Sequence, residues 1–453
     1  MSLKDQFGKD VLLTGWGHSN FGKLTDETLE SLIVKVSAEA IRNSGLEPRD
    51  IDEIYLGQFN SGMQPLGFTS SLALQVSGEL ANIPATRTEN ACASGSAAFQ
   101  QGVKSVLAGT ARNVLVIGAE KMTDAGADVV GAALLGASYE MAGKASTTGF
   151  TGLFAEVAKH YEKRYGAGIT GPGFSGGLGD VLGSIAAKNH RNGIDNPYAQ
   201  MHRDFGEEFC RTVSEKNPMV AEPLRRTDCS PVSDGAAAVM LSLGPASGAA
   251  TEPVRLAGFG HANDFFPADR RDPTEFAATR ASWERALGMA GVGIGGLDFA
   301  EVHDCFTIAE LIMYEAMGLT PRGEGFRAVQ EGWVYKDGKL PVNVSGGLKA
   351  KGHPVGATGE SQHVIAAMQL TGTAGAMQLP GVRRGAVQNM GGVGIANYVS
   401  VLESVSQEPA ETPRFSRPTP AAASAMARAA AGPSAQRWGV PAAPSPATGR
   451  GLN

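Results

Sequence analysis

The sequence predicts an α/β protein with a mixed sheet covered by helices, and two observations lead to this class. Apolar residues recur at helical spacing from Thr28 to Ser44, whereas DVLLTGWG, IDEIYLGQF and NVLVIGAE are short apolar runs typical of strands. A helix over Gly95 to Leu107 separates two of these strands, so helices and strands alternate along the chain. With 453 residues, 42% of them hydrophobic, the chain is large enough for more than one packed unit.

Two distant stretches of the chain repeat one pattern, which indicates an internal duplication. Both stretches have the pattern of a helix end, a glycine turn, an acidic loop and a buried strand. At a constant offset, Gly45 matches Gly291 and Asp52 matches Asp298. In a duplicated α/β fold, loops from matching strand ends can meet at one shared site.

The repeat suggests how the chain is divided. We predict a first half over residues 1–248, with an inserted subdomain over about 120–228, and a second half over residues 249–404. From about Ser406 the composition changes to Ala, Pro, Ser and Arg, which offers little to pack. Residues 405–453 are therefore predicted to form a disordered tail.

Charge and cysteine usage exclude several classes of protein. A net charge of -6 and a pI near 5.8 give no general field for nucleic acid or an anionic membrane. The four cysteines lack the spacing of a disulfide framework or a zinc site, which favours a reducing compartment. Because the amino terminus resembles no signal peptide, no apolar run could span a membrane and GRGLN matches no peroxisomal or endoplasmic-reticulum address, we predict a cytoplasmic protein.

The segment ENACASGSAAFQQGVKSVL places Cys92 just before a predicted helix. The positive end of the helix dipole and free N–H groups favour a thiolate there, as a nucleophile requires. A lone cysteine is more commonly a buried structural residue. The small neighbours of Cys92 leave space for a substrate and favour the nucleophile.

The segment NVSGGLKAKGHPVGATGES surrounds His353 with glycines, among them Gly346 and Gly352. Glycines permit tight turns and close backbone approach, so the loop can present the imidazole at the start of the following helix. His353 is the candidate general base, although a lone histidine more often has a structural role.

Polar residues follow a predicted strand over Phe299 to Val302 in EVHDCFTIAEL. Active sites of α/β proteins gather at strand ends, which makes His303 and Cys305 candidates for catalysis. For Asp304 we favour a structural role as the cap of the helix that begins near Thr307.

A glycine-rich turn is predicted near the end of AVQNMGGVGIANYVSVLE. Gly391 and Gly392 would leave main-chain N–H groups free to stabilise an oxyanion on a thioester. Any hairpin can be rich in glycine, so this segment alone is weak support.

Taken in order, these four segments resemble the thiolases, and the resemblance covers roughly residues 10 to 404. Many thiolases carry Asn-Glu-Ala-Phe where this chain has His-Asp-Cys-Phe at 303–306, and a second cysteine where this chain has Gln388, Asn389 and Met390. The His-Asp-Cys-Phe version is similar to the sterol-carrier-protein type of thiolase, in which this cysteine acts as the second acid/base.

The resemblance implies a thiolase fold, in which duplicated βαβαβαββ halves form five layers, α-β-α-β-α, with an inserted loop subdomain. It also implies a two-step acyl exchange between a 3-ketoacyl-CoA and CoA, through an acyl group on Cys92. His353 and Cys305 would move the protons, and the reverse reaction would condense acetyl-CoA. His303 and His353 would hold the thioester oxygen, and the N–H groups of Cys92 and of Gly391 or Gly392 would hold the other oxyanion.

Coenzyme A is expected as a co-substrate, with no permanently bound cofactor and no metal. A homodimer or homotetramer is implied by the family alone. The inserted segment carries basic residues that are equally well explained as a solvated helix face or as phosphate contacts. The positions assigned to substrate or CoA are Lys188, His190, Arg191, Ser345 and Gly346.

Three other functions compete with the thiolase interpretation. A ketoacyl synthase also uses one Cys and two His, but its loops resemble His-Gly-Thr-Gly-Thr and Gly-His-Thr rather than the loops of this chain. A thiolase-like aldolase cleaves steroid side-chain CoA esters with a small zinc-ribbon partner, and its relatives lack the cysteine found here as Cys92. A non-catalytic acyl-CoA or lipid carrier would have no need of an intact Cys92, Cys305 and His353.

Overall fold

The computed structural model describes residues 3–405. The predicted tail lies outside this range, except for Val405. Between Leu3 and Val405, no helix is both long and apolar enough to cross a membrane.

The strands are β1 (Leu12–His18), β2 (Glu53–Gly57), β3 (Ala85–Thr88), β4 (Asn113–Glu120), β5 (Met219–Ala221), β6 (Leu224–Arg225), β7 (Gly235–Ser242), β8 (Val254–Asn263), β9 (Phe299–Glu301), β10 (Arg384–Gly391) and β11 (Ala396–Ser404). The helices are α1 (Leu3–Phe7), α2 (Leu29–Ser44), α3 (Ser94–Ala108), α4 (Ala127–Leu135), α5 (Gly149–Tyr165), α6 (Leu178–Gly193), α7 (Gly206–Arg211), α8 (Ala277–Ala290), α9 (Thr307–Ala316), α10 (Phe326–Gln330), α11 (Gly347–Lys351) and α12 (Thr358–Leu370).

Local sequence signals account for several of these boundaries. Helix α2 begins after Thr28, whose side chain accepts a hydrogen bond from the N–H of Ser31, and ends at Gly45 in the left-handed conformation. Strand β4 covers the predicted run NVLVIGAE. Strand β9 is one residue shorter than predicted and ends at Glu301.

The strands follow the order β3-β2-β4-β7-β1-β8-β11-β10-β9, with both parallel and antiparallel neighbours. The first five come from the amino-terminal part of the chain and the last four from the carboxyl-terminal part. These two sets are joined where β1 and β8 pair, at Leu12 with Arg255 and at Leu13 with Val254. The chain passes from one set to the other between Ser242 and Val254.

Helices and sheets alternate in five layers, which confirms the predicted fold class. Helix α2 covers the outer face of the first strand set, and α8 covers that of the second. Helices α3 and α12 lie between the two sets, where the ring of Phe99 stacks on His363 with centroids 3.7 Å apart. Apolar side chains from both central helices and both strand sets form one core there.

The two outer helices approach their strands through matching glycines. A Cβ at Gly15 would lie 2.5 Å from the carbonyl oxygen of Ala40 in α2. A Cβ at Gly258 would lie 2.4 Å from the carbonyl oxygen of Ala286 in α8. Ala40 and Ala286 are related by the same offset as Gly45 and Gly291 in the sequence repeat, so the same contact occurs in both halves.

Between β4 and β7 the chain leaves the sheet and forms α4 to α7 and the small β5–β6 hairpin. This segment contains the range of about 120–228, for which an inserted subdomain is predicted, and it is called the insertion below. Helix α6 packs against α9 and α11, which lie next to the predicted catalytic loops. The insertion therefore contacts the part of the second half that carries the candidate site.

Candidate active site

Cys92 lies in a tight turn immediately before α3 and is 5% exposed. The preceding residue, Ala91, has a φ of 49°, a left-handed conformation that is strained for a residue other than glycine. The hydroxyl of Ser94 stabilises the turn, because it donates to the carbonyl oxygen of Ala91 at 2.6 Å and accepts from the N–H of Asn90 at 2.9 Å. The turn fixes the thiol at the beginning of the buried helix.

His353 follows α11 in the Gly-His-Pro loop, and its two ring nitrogens have different roles. Nδ1 lies 2.7 Å from the hydroxyl of Thr358, which donates its own hydrogen to the carbonyl oxygen of Pro354 at 3.0 Å. The Thr358 oxygen therefore accepts from Nδ1–H, and the lone pair of His353 is on Nε2. The main-chain N–H of His353 donates to Ser233, so the loop is held on both sides.

The His-Asp-Cys loop follows β9, as predicted, but Asp304 does not cap α9. Its carboxylate accepts hydrogen bonds from the N–H groups of Leu348 (2.6 Å) and Lys349 (3.3 Å), at the start of α11. The prediction that Asp304 caps the helix that begins near Thr307 is wrong, because its side chain points instead towards the start of α11, the turn that precedes His353. Asp304 thus links the loop of His303 and Cys305 to the Gly-His-Pro loop.

The structure brings together residues predicted from three distant segments. One side-chain sulfur or nitrogen atom each of Cys92, His303 and His353 lies within 4.8 Å of the other two. The two imidazole rings are edge to face with centroids 5.1 Å apart. The thiol of Cys305 is buried and close enough to Cys92 for the two to influence each other's ionisation. The first half thus provides one thiol, and the second half provides both histidines and the other thiol.

Burial dominates the ionisation of this site. It raises the pKa of Cys92 to about 12, although N–H groups of Gly392 and of Cys92 itself oppose the rise. Burial and then the Lys351 ammonium lower the pKa of His353 to about 3, and burial and then His353 hold the pKa of His303 well below its usual range. Desolvation thus opposes the thiolate that the helix terminus favours, and it also opposes the charged form of both imidazoles.

The glycine-rich hairpin between β10 and β11 contacts Cys92, the predicted nucleophile. Gly392 has a φ of 61°, and its N–H reaches the sulfur of Cys92. Gly391 has a different role, because a Cβ there would lie 2.2 Å from the carbonyl oxygen of Asn90. Of the two predicted glycines, Gly392 supplies the N–H and Gly391 permits the close approach.

Asn389 is a site residue to which the sequence analysis assigned no role. Its side-chain Nδ2 lies 3.1 Å from the carbonyl oxygen of Cys92 and 3.0 Å from Nδ1 of His303. The sequence showed only that Asn389 stands where many thiolases have a second cysteine. Its position two residues before the glycine turn is the one signal that could have identified it.

Apolar side chains pack around Cys92. The cluster includes Phe59, Met63, Met122 and Val130, all of which are buried. The surroundings of the thiol are therefore largely apolar.

The residues assigned to CoA do not form one accessible surface. Lys188 is buried and forms an ion pair with Glu310 at 2.5 Å, and His190 is buried against Phe205. Ser345 and Gly346 are buried as well, whereas the side chain of Arg191 is 70% exposed. Of the residues assigned to CoA, only Arg191 therefore lies on a surface that a solvent-exposed nucleotide could contact. Lys188 and His190 are the first basic residues of helix α6, and their side chains point into the protein.

Comparison with known proteins agrees with this geometry. Residues 12–243 match the family model "Thiolase, N-terminal domain", and residues 262–404 match "Thiolase C-terminal domain-like". The acetyl-CoA acetyltransferase of Methanothermobacter thermautotrophicus is 37% identical over 391 residues, which cover 85% of this chain and 97% of the relative.

Solved structures show the same fold. The Ltp2-ChsH2(DUF35) aldolase superposes with a TM-score of 0.71 at 20% identity, over 87% of this chain and 98% of that one. Human mitochondrial 3-ketoacyl-CoA thiolase in complex with CoA superposes with a TM-score of 0.63 at 16% identity, over 89% and 99%. Since the two family models together match most of the residues that the structure describes, the chain belongs to the thiolase family and is an acyltransferase of that family.

Proposed function

We propose that this chain exchanges acyl groups between a 3-ketoacyl-CoA and CoA through an acyl group carried on Cys92. The observation that carries the proposal is the convergence of Cys92, His303 and His353 within 4.8 Å. The acetyl-CoA acetyltransferase relative supports acetyl as the transferred group. The CoA-bound human thiolase, which shares the fold, supports CoA as the co-substrate.

In the first step, Nε2 of His353 accepts the proton of Cys92 as the sulfur attacks the 3-keto carbon. The bond between C2 and C3 then breaks, and the acyl group remains on the sulfur. Cys305 donates its proton to C2 of the departing acetyl-CoA enolate. Burial raises the pKa of Cys305 well above its ordinary value, so this thiol carries its proton before the reaction begins.

In the second step, the thiol of CoA attacks the acyl group on Cys92. The CoA thiol gives its proton to the Cys305 thiolate, and His353 returns its proton to the departing sulfur of Cys92, so the resting state is restored. In the condensing direction, Cys305 instead removes a proton from C2 of acetyl-CoA, and the resulting carbanion attacks acetyl-Cys92.

Two sets of donors stabilise the negative charge that develops on oxygen. The N–H groups of Gly392 and of Cys92 both approach the sulfur of Cys92. From there they would donate hydrogen bonds to the oxygen of an acyl group carried on that sulfur. Nε2–H of His303, and that of His353 once it is protonated, serve the thioester oxygen of acetyl-CoA. Because the site is buried, each such donor contributes more than it would in water.

We also propose a homodimer in a reducing compartment such as the cytoplasm. Strand β3, Ala85–Thr88, ends the sheet with partly exposed residues and pairs with β2 alone, which leaves an edge for a second copy. All four cysteines are free thiols, and reducing conditions keep them so.

The test is CoA-dependent cleavage of acetoacetyl-CoA, followed at the enolate absorbance, for the wild type and Cys92→Ala. Cys210→Ala is the matched control, because Cys210 is a buried cysteine that packs with Ala186 and Ala187 away from the site. Intact mass after incubation with acetyl-CoA reports the acyl-enzyme directly.

We expect cleavage and an acetyl adduct in the wild type and the control, and neither in Cys92→Ala. Binding without an adduct would favour the carrier. Cleavage of steroid side-chain CoA esters that needs an added zinc-ribbon protein, without cleavage of acetoacetyl-CoA, would favour the aldolase.

A further inference from the structure

The side-chain amide of Asn389 determines which nitrogen of His303 carries the proton. Nδ2 of Asn389 contacts both the carbonyl oxygen of Cys92 and Nδ1 of His303. A carbonyl oxygen can only accept, so the amide nitrogen, not the amide oxygen, must face this position. His303 Nδ1 therefore accepts a hydrogen bond, and the proton of its neutral ring is on Nε2.

This tautomer has a consequence for metal binding. A thiolate and two imidazole nitrogens are ligands that Zn²⁺ and Co²⁺ prefer, and in this cluster they lie within 4.8 Å of one another. Tetrahedral bonds of about 2.0 to 2.3 Å to a central ion would place the ligand atoms about 3.3 to 3.8 Å apart, so the three side chains would have to approach one another to hold it. A metal needs a lone pair on each nitrogen. His353 has its lone pair on Nε2, because its Nδ1 is bonded to Thr358. Nε2 of His303 is buried without a hydrogen-bond partner among the described residues, and in this tautomer it carries the N–H.

We propose that Asn389 is a positioning residue that holds His303 as the Nε2–H tautomer, and thereby prevents Cys92, His303 and His353 from capturing a divalent metal ion. The same N–H is also the oxyanion donor of the thiolase reaction. This oxyanion half of the inference rests on the proposed function, whereas the metal half, which is the prevention of metal capture, does not. Thiolate and imidazole would otherwise form a site at which zinc blocks the nucleophile.

The test replaces Asn389 with aspartate, whose ionised carboxylate can only accept and which therefore also loses the hydrogen bond to the carbonyl oxygen of Cys92. In Asn389→Asp, Nδ1–H of His303 donates to the carboxylate and Nε2 presents its lone pair to Cys92 and His353. We expect Co²⁺, followed by the thiolate-to-cobalt absorbance, to bind about 10- to 100-fold more tightly than to the wild type, the usual range for partners of metal ligands. We expect kcat to fall by about 10²- to 10³-fold, as on loss of an oxyanion donor.

The control combines Asn389→Asp with His303→Gln, whose amide can donate but offers no nitrogen lone pair. Its cobalt affinity should return to the wild-type level. Asn389→Ala fixes neither tautomer and should bind cobalt more tightly than the wild type but less tightly than the aspartate variant. Circular dichroism shows whether each variant is folded, and the alanine variant decides the question if the aspartate variant is not.

Equal cobalt affinity in the wild type and the folded aspartate or alanine variant would overturn the metal half. An unchanged kcat in Asn389→Asp would overturn the oxyanion half. If the wild type cleaves no acetoacetyl-CoA, the proposed function fails, while the cobalt titration still decides the role of Asn389.

Discussion

Asn189, on helix α6 of the inserted segment, donates its side-chain amide to the carboxylate of Asp304 at 2.7 Å. The same Nδ2 donates to Glu310 at 2.5 Å, so one amide separates two buried carboxylates. Burial and then Glu310 raise the pKa of Asp304 to about 7. The insertion therefore stabilises the contact between the loop of His303 and Cys305 and the turn that precedes His353.

Asn189→Ala should reduce both stability and activity. Without the amide, two buried carboxyl groups lose a shared donor and face each other, which we expect to cost about 1 to 3 kcal/mol in the free energy of unfolding. We expect kcat to fall about tenfold, because the His303 loop is held less firmly. Denaturant unfolding and steady-state kinetics measure the two effects.

The control is Arg191→Ala, an exposed change two residues further on, which should alter stability by less than about 0.5 kcal/mol. Wild-type values for both would refute the positioning role of Asn189.

The modification of Cys92 by iodoacetamide should accelerate steadily with pH. Burial raises the pKa of this thiol to about 12, so the thiolate fraction keeps increasing throughout the alkaline range. We expect no plateau between about pH 6 and pH 10. Intact mass against time at each pH measures the rate, and Cys92→Ala identifies the modified residue. A plateau near neutrality would show that the resting site is a thiolate–imidazolium pair instead.

Thr358→Val should slow the reaction with little effect on binding. The hydroxyl accepts from Nδ1–H of His353 and so keeps the lone pair on Nε2, towards Cys92. Valine is nearly isosteric but leaves the tautomer free, and we expect kcat to fall by at least about 10-fold while KM changes little. Thr358→Ser keeps the hydroxyl and should retain most of the activity. Equal kcat values in the two variants would show that the hydroxyl of Thr358 does not influence the function of His353.

Gly359→Ala should destabilise the interface between the two central helices. A Cβ at Gly359 would lie 2.3 Å from the main-chain nitrogen of Ser96, and neither backbone can yield easily. We expect a loss of about 1 to 3 kcal/mol or more in the free energy of unfolding. Gly288→Ala, in helix α8, meets nothing within 4 Å and should be neutral or slightly stabilising. Thermal unfolding compares the pair, and equal melting temperatures would contradict the close contact.

Much of the fold follows from local patterns. The apolar spacing and caps of Leu29–Ser44 fix a helix without reference to the rest of the chain, and NVLVIGAE fixes a strand in the same way. The convergence of Cys92 and His353 was also predictable, because the glycine turns and small residues around them are local features. Each of these signals depends on residues close in sequence.

What the sequence could not provide depends on contacts between distant residues. Lys188 belongs to a basic cluster in sequence, but in space its ammonium pairs with Glu310 inside the protein. The terminus of α3 favours a thiolate at Cys92, yet burial by other elements has the larger effect on its pKa. The role of Asn389 appears only when β10 places its amide between Cys92 and His303. In each case tertiary packing, not local pattern, decides the chemistry.

The matched contacts of Gly15 and Gly258 with their outer helices show that the two copies of the duplicated unit share a scaffold. Their predicted catalytic side chains differ. One copy contributes Cys92, the proposed nucleophile, and the other contributes His353, its proposed proton acceptor, so the proposed reaction needs both copies. A change that moved the two copies apart by about 1 Å would therefore slow the proposed reaction by on the order of 100-fold without altering a catalytic side chain.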